Sequence, residues 1–403
     1  MKYTLHLLVV ALIFCTTNPY DKTVVDPKNN DLNKSGYSFQ VNISKVNSKF
    51  SEIASTVFRD KLVIVSSKKI GGLGSGLNPV TKEPYTDLFC LDVKQNGSFS
   101  QPLLFSRILN TKSNEGQVAF SPDEHRIYYT RSERKNILNY KLYTAELKKD
   151  SYGKWINEME VSISSDNHSI ENPHVTSDGK FLYFSSDMKD GYGGFDLYKA
   201  EIHEDGSIGK PENLGGKINT SKDDKYPYTT KDSKEIYFSS KGHNSIGGFD
   251  IFISNINNKK YTEPRNLGYD INSKKDDVAF IIINGNQGVF SSNKDNANNS
   301  FNMYHFQSEI MYHELEGIVI TQDDKILPNA TVVLYNGEGL EIGRQTTNED
   351  ASYNFKIKPY QDYQLKVIKR GFKDYNKTLL SDGTPLKAIL KLSSKISYNK
   401  SKP

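Results

Sequence analysis

The sequence predicts an all-β chain, a five-bladed β-propeller followed by a small β-sandwich. Three observations predict it. The 403 residues are only 36% hydrophobic yet hold 25 Tyr and 20 Phe, the composition of many short, half-buried strands. A pair of motifs recurs five times at a near-constant step. After Phe306 the repeat stops, and short alternating strands of another kind take over.

The chain opens with Lys2 and an apolar run from Leu5 to Phe14. Such a run is too short to span a bilayer comfortably and reads as a signal peptide over residues 1–15, so the mature protein is expected to be exported. Leu12-Ile13-Phe14-Cys15 resembles a bacterial lipobox, with Phe14 where a small residue is expected. Cys15 is therefore a candidate lipidation site, and cleavage near Thr16-Thr17 is the alternative. Residues 16–36 are polar and read as a tether. The only other cysteine is Cys90, which leaves no disulfide framework or zinc spacing. The 52 basic and 48 acidic residues are interspersed, giving a net charge of +4 and no nucleic-acid footprint.

The repeat sets the architecture of residues 37–311. Its first motif is an aromatic or apolar pair followed by hydroxyls: Tyr183-Phe184-Ser185-Ser186, Tyr237-Phe238-Ser239-Ser240 and Val289-Phe290-Ser291-Ser292. Looser copies are Tyr128-Tyr129-Thr130-Arg131 and Ile64-Val65-Ser66-Ser67. The second motif is Gly194-Phe195-Asp196-Leu197-Tyr198 and Gly248-Phe249-Asp250-Ile251-Phe252, with relatives ending in Phe89, Tyr143 and Tyr304. The closing aromatics at 89, 143, 198, 252 and 304 are 54, 55, 54 and 52 residues apart. Each unit has room for four short strands, and four-stranded units at this period are propeller blades. Asp178-Gly179 supplies a tight turn between the first two strands of a unit. Lys45-Val46-Asn47-Ser48 echoes Lys217-Ile218-Asn219-Thr220, which places residues 38–43 in a fourth-strand position. The fifth unit lacks that strand, so the N-terminal one is expected to complete it and avoid an open edge.

Residues 314–392 predict the sandwich. Strands are expected over Glu316–Ile320, Ala330–Tyr335, Tyr353–Ile357 and Tyr363–Ile368, with a turn at Asp323-Asp324-Lys325 and Pro328 entering the second strand. Residues 393–403 are polar and expected to be a flexible tail.

The units with Thr176-Ser177-Asp178-Gly179-Lys180 and Tyr183-Phe184-Ser185-Ser186 resemble the TolB-type, WD-repeat-like propeller repeat. The Gly-Phe-Asp-Leu-Tyr ending resembles its variant in OmpA-family envelope proteins of Bacteroidetes, including PorE-like components of type IX secretion. Gly317-Ile318-Val319, Pro328 to Val332, Thr346-Thr347-Asn348, Tyr353-Asn354-Phe355 and Gly371-Phe372 resemble the carboxypeptidase regulatory-like, or transthyretin-like, sandwich. The resemblance covers residues 37–392 and implies a periplasmic or outer-membrane protein that binds other envelope proteins. An OmpA-like peptidoglycan-binding domain would have to follow Pro403, so peptidoglycan binding is not carried over.

No catalytic constellation stands out, and no cofactor is expected. There is no G-x-S-x-G elbow, and His203-Glu204 and His313-Glu314 lack the second histidine of a zinc motif. The loop from Gly71 to Leu77 fails the dinucleotide pattern and reads as a hairpin loop. A sialidase reading fails on its turn pattern and on the single Trp, Trp155. Asp187, Asp190 and Asp196 bracket a glycine-rich loop, where turn capping is favoured over a calcium site. His174 and Tyr228 occupy matching positions that either line the central channel or pack.

Counting back from the aromatic-hydroxyl motif places Glu52, Glu115, Asp224 and Asp276 ahead of the innermost strands, with Glu171 and Asp277 beside the aligned positions. These six form a candidate acidic propeller mouth for a cation or a basic partner segment. The bland alternative is that they cap turns. The expected function is a non-catalytic envelope scaffold that binds proteins, possessing at most a lipid anchor in the membrane. The alternative is a glycan-binding or glycan-processing propeller, which requires aromatics and acids gathered on one face.

Overall fold

The computed structural model describes residues 32–69, 76–94, 97–151, 153–257 and 260–395. Cys15, most of the 16–36 tether and the Gly71 to Ser75 part of the glycine-rich loop lie outside them. Every named element is a β-strand, and no helix among the described residues is long and apolar enough to cross a membrane.

Five antiparallel sheets follow one another. The first holds Glu52–Phe58, Lys61–Ser66, Asp87–Asp92 and Leu103–Leu104. The second holds Glu115–Phe120, Arg126–Ser132, Tyr140–Leu147 and Trp155–Glu160. The third holds Ile170–Val175, Phe181–Ser186, Asp196–Glu201 and Glu212–Asn213. In the fourth, Asp224–Thr229, Glu235–Ser240 and Asp250–Asn257 are joined by the short Lys260–Tyr261 and Arg265–Asn266. The fifth holds Asp277–Asn284, Gln287–Ser292 and Asn302–Ile310, and its outer strand is Tyr37–Ile43 from the start of the fold, paired from Tyr37↔Ile310 to Ile43↔Tyr304.

The aromatic motif works by alternation, since successive strand residues face opposite sides. Phe184 joins the core between the second and third sheets, with Tyr128, Leu142 and Ile170. Its neighbour Tyr183 joins the next core, with Leu197, Ile236 and Phe238. One dipeptide thus glues its sheet to both neighbours, and each fully buried ring contributes about 1.5–3 kcal/mol. The first strands of successive sheets touch in cyclic order, and the fifth touches the first.

One side chain marks each seam. Asn110 accepts from Leu88 N at 2.7 Å and donates to Leu88 O at 3.1 Å. Asn219 does the same to Leu197, and Asn272 to Ile251. Ser164 substitutes at the seam after the second sheet, bonding Leu142 N and O. At the seam between the fifth sheet and the first, Asn47 makes the same pair with Met303, at 2.8 and 2.9 Å. The echo of Lys45-Val46-Asn47-Ser48 is therefore a seam device.

Every innermost strand carries a bulge near its start. Asn172, Tyr226 and Ala279 take left-handed backbone there, with φ of 54°, 57° and 56°, which bends the strand and re-aims its side chains. Behind the bulges the axis is filled. Gln117, Pro173, His174, Tyr228 and Phe280 leave a gap of only about 20 Å³. His174 Nε2 accepts from Thr229 N at 3.0 Å, and Tyr228 donates to Ile282 O at 3.1 Å. Burial pulls the His174 pKa down to about 4. Both residues are packing elements rather than the lining of an open channel.

Only Met311 and Tyr312 separate the fifth sheet from His313–Thr321, the first strand of the sandwich. That strand lies between Ser352–Ile357 and Leu386–Leu392, the latter parallel to it. The facing sheet runs Glu341–Thr346, Thr331–Asn336, Asp362–Ile368, Tyr375–Leu380. Strict alternation in Ser352–Ile357 and Asp362–Ile368 sends Tyr353, Phe355, Tyr363 and Leu365 into one shared core with Val332, Leu334 and Leu390. The tail expectation needs one correction: Ser393 O and Lys395 N bond Lys373 and Gly371, so the fold extends to at least Lys395.

Candidate functional site

The acidic residues singled out by sequence fall into two groups. Glu52, Glu115, Asp224 and Asp277 each open an innermost strand and are buried. Each accepts a backbone N–H and a hydroxyl from the residue four positions earlier. The donors are Ser48, Thr111, Thr220 and Ser273, at 2.5–3.2 Å. This is the turn-capping geometry. Burial outweighs those bonds and raises the carboxyls, Glu52 and Glu115 to about 7, Asp224 and Asp277 to about 6. Glu115 also meets Arg131 Nε at 3.0 Å, and that guanidinium bonds Glu158 in turn.

Asp276 and Glu171 belong elsewhere. Asp276 is the counterpart of Asp223, not of Asp224. Each accepts from the Phe N–H of a Gly-Phe-Asp motif, Phe249 at 3.0 Å and Phe195 at 3.1 Å. A Cβ on Gly248 or Gly194 would collide with these carboxylates, so the motif's glycine makes room for them. Glu171 is bridged by Lys225 Nζ at 3.0 Å, and that ammonium sits 3.4 Å from the Phe195 ring centroid. Asp196 and Asp250 bond the backbone of their own glycine loops, Tyr192–Gly193 and Ile246–Gly247, and the amides of Asn213 and Asn266. Their loops are thereby fixed by structure-bearing bonds. No cluster of His, Cys, Asp and Glu that could hold a metal occurs among the described residues.

A site that the sequence did not reveal lies at the opposite end of the innermost strands. There the hairpins Thr230–Glu235 and Asn284–Asn286 meet the 358–361 loop of the sandwich around a cleft of about 620 Å³. Glu235 is its centre, a carboxylate only 8% exposed. Tyr37, the first residue of the outer strand of the fifth sheet, donates to it at 3.0 Å. Lys358 of the sandwich reaches the same oxygen at 3.2 Å and lies over the Tyr37 ring, 5.1 Å from its centroid. Burial and the adjacent Glu235 charge push the Tyr37 hydroxyl far above its ordinary pKa, keeping it a donor.

Further contacts pin the loop. Asn255 Nδ2 donates to Tyr360 O at 2.9 Å, and Arg265 stacks over the Tyr360 ring 4.0 Å from its centroid while donating to Asn255 Oδ1 at 2.7 Å. Gly36 passes so close to Pro359 that a Cβ would approach its ring to 2.8 Å. At φ +86° it also occupies left-handed backbone, which glycine adopts freely. The cleft wall gathers Tyr37, Tyr228, Tyr237 and Phe280 with Asp232 and Glu235.

No protein-family model and no curated protein matches the chain. Among solved structures, TolB from Acinetobacter baumannii aligns at 16% identity with a TM-score of 0.32, over 62% of this chain and 52% of that one. The chain thus spans about half the length of that protein. The RS223 β-xylosidase aligns at 13% identity and 0.44, over 72% of this chain and 98% of that one. Bacillus subtilis levansucrase aligns at 13% and 0.43, over 65% and 84%. These likenesses are distant and carry no argument about activity, which in any case resides in sites rather than folds.

Proposed function

We propose that the chain is a non-catalytic binding scaffold of the bacterial cell envelope. In this reading its five sheets are the blades of a five-bladed propeller, and its second module is a transthyretin-like sandwich of the carboxypeptidase regulatory-like type. It is exported by residues 1–15, held at the membrane through Cys15, and works in the periplasm or outer membrane beside an OmpA-family or type IX secretion assembly. Envelope proteins are its partners, and it uses no cofactor. The observation that carries this reading is the pinned junction of the two modules. Glu235, Lys358, Arg265 and Tyr360 fix them around one shared face, and a fixed composite face binds without the ordering cost of a hinge.

Affinity capture of the full chain from envelope extract, with cross-linking and mass spectrometry, tests it. A defined protein partner lost on Lys358→Glu is expected. Recovery of sugars alone, with no protein, would sink the reading. A second reading, glycan binding, is favoured by one observation: the cleft gathers aromatics and acids on one wall.

A further inference from the structure

The cleft between the modules has the volume of a small-ligand site, and such sites favour domain interfaces. Its chemistry narrows the ligand. Lys231, Lys234 and Lys358 face Asp232 and Glu235. Lys358 is paired with Glu235, and Lys234 with Glu338 just outside the cleft. Counting Glu338, positive and negative charges balance, so neither an anion nor a cation finds surplus charge to meet.

The wall has two kinds of surface. Tyr228 and Ile282 are half-buried and rest on the core of Tyr237 and Phe280, while the half-buried Ile283 packs on the neighbouring core of Ile281 and Val289. The Tyr228 hydroxyl is already committed to Ile282 O, and the residue, packed on His174 and Tyr237, also lines the cleft. Beside this apolar surface stand the side-chain amides of Asn284 and Gln361, which make no hydrogen bond to the described residues. Asn286 commits its Nδ2 to Ser308 O, leaving its amide oxygen available. A fitting ligand is therefore uncharged, apolar on one side, and rich in hydroxyl or amide groups along its edge.

A peptide strand fits less well. Asn302–Ile310 is paired on both sides, and the free edge of Asp277–Asn284, paired only with Gln287–Ser292, lies against the neighbouring innermost strands Asp224–Thr229 and Glu52–Phe58. We propose that the inter-module cleft binds a short uncharged oligosaccharide, its ring face on Tyr228 and Ile282 and its hydroxyls on Asn284, Asn286 and Gln361. The proposal rests on the glycan-binding reading and moves the site from the filled propeller axis to the junction with the sandwich.

The test is calorimetric titration of the full chain with cellotetraose, maltotetraose, mannotetraose and chitotetraose. At least one should bind saturably. Asn284→Ala with Gln361→Ala, both at the cleft surface, should weaken it by about tenfold, the effect of losing two hydrogen bonds. Asn284→Ala alone should give an intermediate loss, and Asn157→Ala on the second sheet none. The proposal is overturned if no tetrasaccharide binds the folded chain, or if the double variant melts and binds as wild type does. A protein partner captured in the presence of excess tetrasaccharide leaves the scaffold reading standing whichever way the titration falls.

Discussion

The two modules hold together by different physics. The sandwich has a single core, filled from strands that alternate cleanly, and its buried polar residues are few, Thr347 and Ser381 among them. The propeller divides its apolar residues among several cores lying between sheets. It then places polar groups at its seams: the buried Asn110, Asn219 and Asn272 and the half-buried Asn47 and Ser164 on backbone, and the buried Glu52, Glu115, Asp224 and Asp277 on turns. The difference teaches that stacking like units requires directional bonds to fix their angle, whereas two facing sheets need only matched volume.

The largest expected effect breaks the propeller alone. Deleting residues 37–43 removes Phe39 from the core and bares the nine-residue strand Asn302–Ile310. Loss of the soluble monomer is expected, because an unpaired edge invites association. Size-exclusion chromatography and thermal melting check it, and a monomer with wild-type melting would show that the strand is no clasp.

Next comes volume. Leu365→Ala, at the centre of the sandwich core, should cost about 2–5 kcal/mol. Hydrogen exchange should rise across residues 313–392 and stay unchanged in the first three sheets. Uniform loosening of both modules would mean that they do not differ as described.

A bond is expected to matter less than a core leucine. Asn272→Leu keeps the bulk but leaves Ile251 N–H and C=O without their partner, which should cost about 1–3 kcal/mol. Exchange should quicken at the seam of the fourth and fifth sheets. A change below a few tenths would remove the seam device from the account.

A separate contrast lies in the response to pH. In the propeller Glu52, Asp87, Glu115, Asp224 and Asp277 titrate at about 6–7 when folded, well above ordinary carboxyls near 4. The folded state therefore holds more protons than the unfolded between those values, so stability rises as pH falls from about 8 to about 5. His174 and His305, held down by burial, oppose this below about 6.5, but they are outnumbered. In the sandwich Glu341, Asp350 and Asp382 are shifted the other way, so its stability falls only as pH drops below the ordinary carboxyl range. Exchange measured at pH 8 and 5.5 should slow in the propeller and hold steady in the sandwich once corrected for intrinsic rates. A propeller that loosens at pH 5.5 would reverse the sign.

The repeat was legible because each unit needs an aromatic at the same depth, which imprints a fixed step on the chain. The acidic register was harder. Hairpins in the first and fifth sheets, Phe58 to Lys61 and Asn284 to Gln287, are tighter than Thr229 to Glu235. In the fifth sheet the count back lands one residue early, on Asp276 instead of Asp277. The seam asparagines precede the strands, so no strand periodicity flags them, and only the repeated Asn-Ser/Thr pair could have. The cleft left no local trace, since Tyr37 and Lys358 stand 198 and 123 residues from Glu235.

The outer strand of the fifth sheet also imposes an order in time. Tyr37–Ile43 is made early, yet its partner ends at Ile310. At roughly 5–20 residues per second, the segment waits on the order of 15–50 s for the strand it will join. Until then four sheets can form in sequence behind it while Asn302–Ile310 is still to be made. Ser38, Gln40 and Asn42 alternate with Phe39 and Val41, so half of the waiting segment is polar. A segment so composed is poorly suited to stray pairing during its wait, and the last bond of assembly is made by one of the first residues to be synthesised.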